Sequence, residues 1–419
     1  MSRNLRVLAG KLHPSSVIRR ISQKYRRSLS SSAQLLPNAH FQRIIERFPP
    51  CEFSCAYGSG VFRQIGYEGN GKEGSDEDAP LPMLDLILGV EDSEQWHGDN
   101  LRRNPGDYSW PLSWLPPSAS KTIQETGGAH MLYHPYVDVD ILPTEKKIES
   151  NTGLRTEQRQ QIKYGVISMK HLQSDLLHWD TLFCAGRLHK PVVLINSNPM
   201  IEELLLKNHK AALTCALLML PAVFTEEELF YTLAGLSYSG DPRFLLGAEN
   251  SSKVENIVNA NLEGFRAIYR PLIDDIDFIR LKSRSQEVEV EGGQQEETSE
   301  AATTFVRLPM ETVDVKNIVE RHLPSELRRR INVTSEMINS FAHHPHHHDH
   351  HHHQAFKIAL IRGLRAIVRE ASGMKHMLKG LLTAGIPKST LYVASKLKKG
   401  LFSKGRFSSN NKRAPTSSN

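Results

Sequence analysis

The chain has 419 residues, 39% of them apolar, and a formal net charge of +6. That length allows two domains plus tails, no apolar run reaches the roughly 18 to 20 residues of a membrane span, and four cysteines are too few for a disulfide framework. The charge is unevenly spread: residues 1–45 carry +9 and residues 354–419 carry +13, which leaves 46–353 at −16. A body of that sign repels a phosphate backbone and argues against a nucleic-acid partner.

Residues 1–35 are rich in Arg and Ser, and no acid precedes Glu46. This is the composition of a mitochondrial or plastid transit peptide, the Arg content favouring the mitochondrion, with RRSLSSSA at 26–33 as its processing zone; a disordered basic arm is the alternative. The body follows. FSCAYG predicts a strand that turns at Gly58-Ser59-Gly60 and opens a short helix. MLDLILGV at 83–90 predicts a buried strand carrying one acid, Asp85. HMLYHPYVDV, KYGVISM and KPVVLINS read as further strands, so residues 45–196 form a domain built on a mixed sheet. Polar or acidic stretches at 68–82 and 140–161 read as inserts. Cys51 and Cys55 lack partners at zinc-finger spacing and read as reduced thiols near the core.

Residues 199–280 change character. IEELLLKNHKAALTCALLML is a long helical pattern, and Thr225 with Glu228 forms a capping box that starts a helix at 226. The domain reads as mainly helical, of winged-helix type. An acidic low-complexity linker spans 283–304, a helical segment 305–342 and a His-rich insert 343–353; the last is assigned no role, because a His tract has no fixed ligand geometry. From Leu360 apolar residues recur at helical spacing. That stripe suits packing on the body and lying on an anionic membrane equally. The Lys-rich stretch 388–406 favours membrane contact, so 355–406 is taken as a membrane-associating region and 407–419 as a disordered tail.

The chemistry rests on the Gly-Ser turn. Gly58 and Gly60 let the backbone approach a ligand, Ser59 adds a hydroxyl, and amides at a helix start favour an anion. Asp85, on the next strand, can face the same cleft and hold magnesium shared with substrate phosphates. This is how a nucleotidyltransferase holds a triphosphate. The usual second acid, two residues along, is replaced by Ile87. Asp92, Asp138 or Asp140 must then complete a metal site. Asp92 serves equally well as a turn acid at the strand end, and Asp138 and Asp140 as the edge of an insert.

Six blocks, AYGSGVFRQIGY, MLDLILGVED, the pattern Trp96-His97-x2-Asn100-x3-Asn104-x3-Tyr108-Ser109, IKYGVIS, LFCAGRLHKPV and AGLSYSGDPR, occur in this order. They closely resemble the mitochondrial translocator assembly and maintenance family over roughly 50–275, less the inserts, and the likeness resumes in the tail. Proteins of that family are phosphatidate cytidylyltransferases, which make CDP-diacylglycerol on the road to cardiolipin. The resemblance implies an α+β fold: a nucleotidyltransferase sheet domain, a winged-helix-like domain and a membrane-contacting tail, peripheral on the matrix face of the inner membrane. CTP phosphates would lie on Tyr57, Gly58, Ser59 and Gly60, bridged to Asp85 by magnesium. The cation candidates are Arg63, Lys163, Arg187 and Lys190, with Lys163 and Arg187 foremost because they sit in family blocks. Tyr238, Asp241 and Arg243 would border lipid or nucleotide, or form a domain interface. Two rivals are a nucleotidyltransferase acting on a tRNA end, which the acidic body opposes, and a non-enzymatic membrane scaffold for protein import.

Overall fold

A computed structural model of the chain describes residues 38–62, 82–110, 112–141, 158–241, 252–273, 279–280, 303–307, 315–331 and 349–372. The leader read as a transit peptide, residues 68–81 of the first insert, most of the acidic linker and the tail beyond 372 lie outside the described residues.

The first domain is a five-stranded sheet in the order β3-β4-β2-β1-β5. Its strands are β1 (Phe53–Tyr57), β2 (Leu84–Val90), β3 (Met131–Ile141), β4 (Gln158–Ser168) and β5 (Val193–Asn196). Strands β2 and β4 run parallel and the other neighbours antiparallel. The expected mixed sheet is therefore present. Strand β2 is buried along its whole length except at Asp85, as expected of a strand covered on both faces.

Side chains alternate across a strand, so register assigns each residue to a face. Tyr57, Asp85 and Lys163 lie in one row across β1, β2 and β4. Ala56, Leu86 and Tyr164 form the neighbouring row and point the other way.

That second face is covered by α1 (Asn38–Glu46), through Phe41, Ile44 and Ile45, and by α2 (Ser93–Arg103), through Trp96. A buried polar network is set into this layer. The His97 ring donates from Nε2 to Gln124 Oε1 (2.9 Å) and accepts at Nδ1 from Tyr108 (2.8 Å). Asn100 donates to Tyr164 (3.0 Å), and Asn104 to Arg47 O (3.2 Å). Tyr164 donates to Asp107, which also holds Arg47 through two hydrogen bonds. The Trp96-to-Tyr108 pattern thus has a structural cause: it fixes α2 and the turn after it onto the back of the sheet.

The first face packs against α4 (Met169–His178) and the second domain. That domain contains α6 (Pro199–Met219), α7 (Glu226–Gly235), α8 (Lys253–Ala260) and α9 (Leu262–Ile273), and the short α5 (Cys184–Arg187) lies between α4 and β5, against the Leu236–Tyr238 turn. Asn198 caps α6 by accepting from Ile201 N, and the capping box of α7 forms as its sequence predicts. A small antiparallel sheet, β6 (Val223–Thr225), β8 (Thr304–Arg307) and β7 (Ile279–Arg280) in that order, joins the helices. Helices α10 (Val315–His322), α11 (Ser325–Ile331) and α12 (Asp349–Ser372) complete the described chain.

Four expectations change. The Gly-Ser turn closes by hydrogen bonds from Val61 N and Phe62 N to Gly58 O, and no helix follows it within the described residues. The insert placed at 140–161 is shorter, because β3 runs to Ile141 and β4 begins at Gln158. Polar residues suit the end of an edge hairpin, so polarity misled there. Segment 305–342 opens as a strand, since Thr304 and Phe305 pair with Thr225 and Phe224. The C-terminal stripe packs on the body: Phe356, Leu360, Leu364 and Ile367 are buried in the core, worth roughly 1.5–3 kcal/mol each. All four cysteines are unpaired, three of them buried.

Burial, with His134 next, lowers the His97 pKa to about 3, and burial lowers that of His209 to about 4. Both rings are neutral in the fold, and both take up a proton near pH 6.5 once unfolded. Their contribution is complete above that pH and is lost as pH falls towards 4 and 3. Urea unfolding at pH 7.5 and 5.0 should therefore show falling stability, with a slope of up to ~1.4 kcal/mol per pH unit for each ring. His97→Gln should remove its own share of that slope.

Candidate active site

The row Tyr57, Asp85, Lys163 sits where the sheet face meets the second domain. Lys163 Nζ lies 3.5 Å from Asp85 Oδ1 and 4.6 Å from the centre of the Tyr133 ring. Tyr133 and Tyr57 touch through their hydroxyls at 3.3 Å. Burial, then Tyr133 and Asp85, raises the Tyr57 pKa well above its ordinary value, so the phenol keeps its proton. The Arg187 guanidinium lies 5.8 Å from the Tyr57 ring and 3.6 Å from the Phe183 ring, and donates to Phe183 O (2.8 Å).

The turn after β1 lies directly against this row. Gly58 has φ +84°, and a Cβ there would stand 3.1 Å from Asp85 Oδ2. A Cβ on Gly60 would fall 2.3 Å from Met83 O. Both glycines are thus required by close approach of the turn to β2. Ser59, between them, is exposed.

Arg187 is placed by a residue the sequence reading missed. Buried Asp175, on α4, accepts from the backbone N–H of Leu182, Cys184 and Ala185 and from both the N–H and the hydroxyl of Thr181, all at 2.8 to 2.9 Å. This fixes a turn in which Trp179 and Leu182 both take positive φ. The signal available was an acid, Asp175, on the helix face that also carries Met169, Leu172 and Leu176. Tyr133 was missed as well, being one aromatic among several on its strand.

The other candidates divide. Asp92 is not in this site. It lies beyond the far end of β2 from Asp85, about 16 Å or more along the strand, and its carboxylate caps α2 by accepting from Glu94 N and Gln95 N. The turn-acid alternative is the correct one. Asp138 shares the face of Asp85 but is exposed and pairs across β3 and β4 with Gln161, whose side chain donates to it at 3.5 Å. It stands two strands and two residues from Asp85, about 12 Å between Cα atoms, and Asp140, ion-paired with Arg159, stands farther out. Lys190 is buried, its ammonium donating to Gly186 O and to Ser237 Oγ (2.9 Å) above the Tyr238 ring. Burial lowers its pKa well below the ordinary lysine value. Asp241 is buried in the turn that follows, where Gly240 has φ +74° and meets Arg365 of α12. Lys190, Tyr238 and Asp241 thus stand at the junction of α5, the Leu236–Tyr238 turn and α12. Arg63 and Arg243 lie outside the described residues.

A carboxylate and two cations beside a glycine turn suit a polyphosphate substrate. Comparison with known proteins points the same way. A family model described as phosphatidate cytidylyltransferase, mitochondrial, matches residues 41–399. The chain belongs to that family. The protein of that name from Danio rerio is 35% identical over 86% of this chain and 94% of its own length. Those from Homo sapiens and Schizosaccharomyces pombe are 34% and 32% identical, over 82% and 85% of this chain and 67% and 81% of theirs. The match spans both domains, so the family fold includes the junction at which Arg187 and Lys190 sit.

Asp175 provides a stability test. Replacing a buried group that holds several donors strands those donors. Asp175→Ala should lower unfolding free energy by more than ~3 kcal/mol, and Asp175→Asn, which retains one carbonyl, by roughly half of that. Urea midpoints measure both.

Proposed function

We propose that the chain transfers CMP from CTP to phosphatidate, giving CDP-diacylglycerol and pyrophosphate, in mitochondria and towards cardiolipin. The observation that carries this is the placement of Asp85 between the Gly58 turn and Lys163. A nucleotidyl transfer with an anionic acceptor needs alignment and charge neutralisation more than proton abstraction. The phosphate of phosphatidate attacks the α-phosphorus in line, a new P–O bond forms, and the bond to pyrophosphate breaks. The acceptor is already ionised near neutral pH, so no strong base is required, and the row supplies none.

The amides and hydroxyl of the Gly58-Ser59-Gly60 turn would receive the triphosphate. Lys163 and Arg187 would offset the charge that builds on the phosphates, and the protonated Tyr57 phenol can donate to one of their oxygens. Magnesium fits the donor set in one way. The described residues contain no group of three metal-ligating side chains, but the ion is commonly held by one or two carboxylates plus substrate phosphates. Asp85, with a side chain 23% exposed, is the carboxylate that would share it. The ion would supply charge neutralisation at the phosphates.

The acceptor is a lipid, and no helix among the described residues is long and apolar enough to cross a membrane. Peripheral attachment to the matrix face of the inner membrane, through the basic stretch 388–406, accounts for access to it. The charge of that stretch suits an anionic surface.

Purified protein, radiolabelled CTP, phosphatidate-containing liposomes and magnesium should give a lipid-extractable CDP product, and chelation by EDTA should abolish it. Asp85→Asn should reduce the rate at least ~100-fold with little change in thermal midpoint, since Asn keeps the shape of Asp and Lys163, 20% exposed, stays within reach of water. Near-wild-type transfer by that variant would remove Asp85 from the mechanism. Gly58→Ala should cost ~1–2 kcal/mol of backbone strain and crowd Asp85, lowering turnover about tenfold or more while the protein stays folded.

A further inference from the structure

The segment YSWPLSWLPP, residues 108–117, holds two tryptophans in water. Trp110 is 75% exposed and Trp114 83%, with Leu115 beside them at 41%. Tryptophan is usually well buried, so two together on a surface need a reason. They are not on a loose strand end. Tyr108 is buried and bonded to His97, Leu112 is buried between the two indoles, and Ser113 N donates to Ser109 O at 3.1 Å. On one side the turn Pro105–Asp107 is tied to Arg47 and Tyr164 through Asp107; on the other, helix α3 (Pro117–Glu125) begins at once. The residues on both sides of the indoles are thus tied to the body, and both indoles stand in solvent.

We propose that this turn is an interfacial membrane anchor whose occupant is the headgroup and upper acyl region of a lipid bilayer. The proposal rests on the reading above, in which the acceptor is a membrane lipid. An indole has an apolar face and one N–H donor, which suits it to the boundary between headgroups and chains. Of the cations on the flanking helices, Arg102 and Lys121 are paired with Asp99 and Glu94, and Arg103 donates to Phe48 O at 3.2 Å. The attraction therefore comes from the indoles and Leu115 rather than from net charge. A stable protein interface takes roughly 20 to 30 residues a side, and this patch presents three large apolar ones. Shallow insertion into lipid needs no more.

The test uses the full chain and vesicles of phosphatidylcholine and phosphatidate carrying brominated acyl chains. Trp96 and Trp179 are buried, at 4% and 0% exposure, so quenching reports mainly Trp110 and Trp114. Tryptophan fluorescence of the wild type should be quenched on binding. Trp110→Ala/Trp114→Ala should lose most of that quenching, float several-fold less with vesicles, and turn over bilayer phosphatidate several-fold more slowly. Its rate on a short-chain soluble phosphatidate should be unchanged, which excludes misfolding, and Trp110→Phe/Trp114→Phe should restore part of the flotation. Unquenched wild type bound to vesicles, or a double variant that floats like wild type, overturns the proposal. So does a double variant that loses a dimer or a protein partner and keeps its lipid binding, or a wild type whose indoles are covered by its own tail. Quenching does not depend on transfer: a chain that inserts and yields no CDP-lipid counts against the proposed activity alone, and one that yields product without inserting counts against the anchor alone.

Discussion

A carboxylate on a strand covered along both faces is costly to keep ionised unless a cation and an opening lie beside it. Asp85 is the only residue of β2 that is not fully buried, and both conditions are met at that point. Lys163 stands beside it on the parallel neighbour, and the turn at Gly58 leaves the other carboxylate oxygen uncovered by a side chain. The glycines, the register of β2 with β4 and the choice of lysine at 163 are all consequences of placing that one charge. A one-residue slip in register would put Tyr164 opposite Asp85 and turn the lysine into the layer beneath α1 and α2.

Register is held from the opposite face. Tyr164 reaches through its hydroxyl to Asp107 and Asn100, and these are tied in turn to Arg47, Asn104 and His97. A satisfied buried network of this kind is directional in a way apolar packing is not, because a displaced strand would leave several buried groups unpaired. Asp175 does the corresponding task on the site's own side, since a turn with two residues at positive φ carries strain that its five hydrogen bonds offset. The two polar clusters that look least connected with chemistry therefore fix the strand that carries Lys163 and the turn that leads into Arg187, beside Tyr57.

This explains what the sequence made legible. Strands β1 to β5 were readable because each carries an alternating or continuously apolar run, and Asp85 stood out as a charge in such a run. The capping box of α7 was readable because its geometry is local. Asp92 misled because a helix-capping acid and a metal-binding acid look alike at a strand end, and only the direction of the following helix separates them. The structural part played by Lys190 was not readable, because its amine ties α5 to the Leu236–Tyr238 turn across 47 positions of sequence. Asp175 and Tyr133 were illegible for the same reason, their roles being set by contacts between elements. The helical stripe from Leu360 suited two surroundings, and only the packing partners on α11 and in the core decide for the body.

The charge of the body raises one remaining question: how a domain at −16 binds a nucleoside triphosphate and an anionic lipid. The inserts at 68–82 and 283–304 account for −4 and −5 of that charge. At 0.1 M salt a charge is largely screened beyond about 10 Å. Lys163, 3.5 Å from Asp85, acts almost unscreened. On the reading proposed above, selection of an anionic substrate is then local, set by Lys163, Arg187 and the turn amides. Asp175 matters to the site proposed above for the same reason: without α5 held in place, Asp85 would be balanced by Lys163 alone, and no net positive charge would remain beside the turn for a triphosphate.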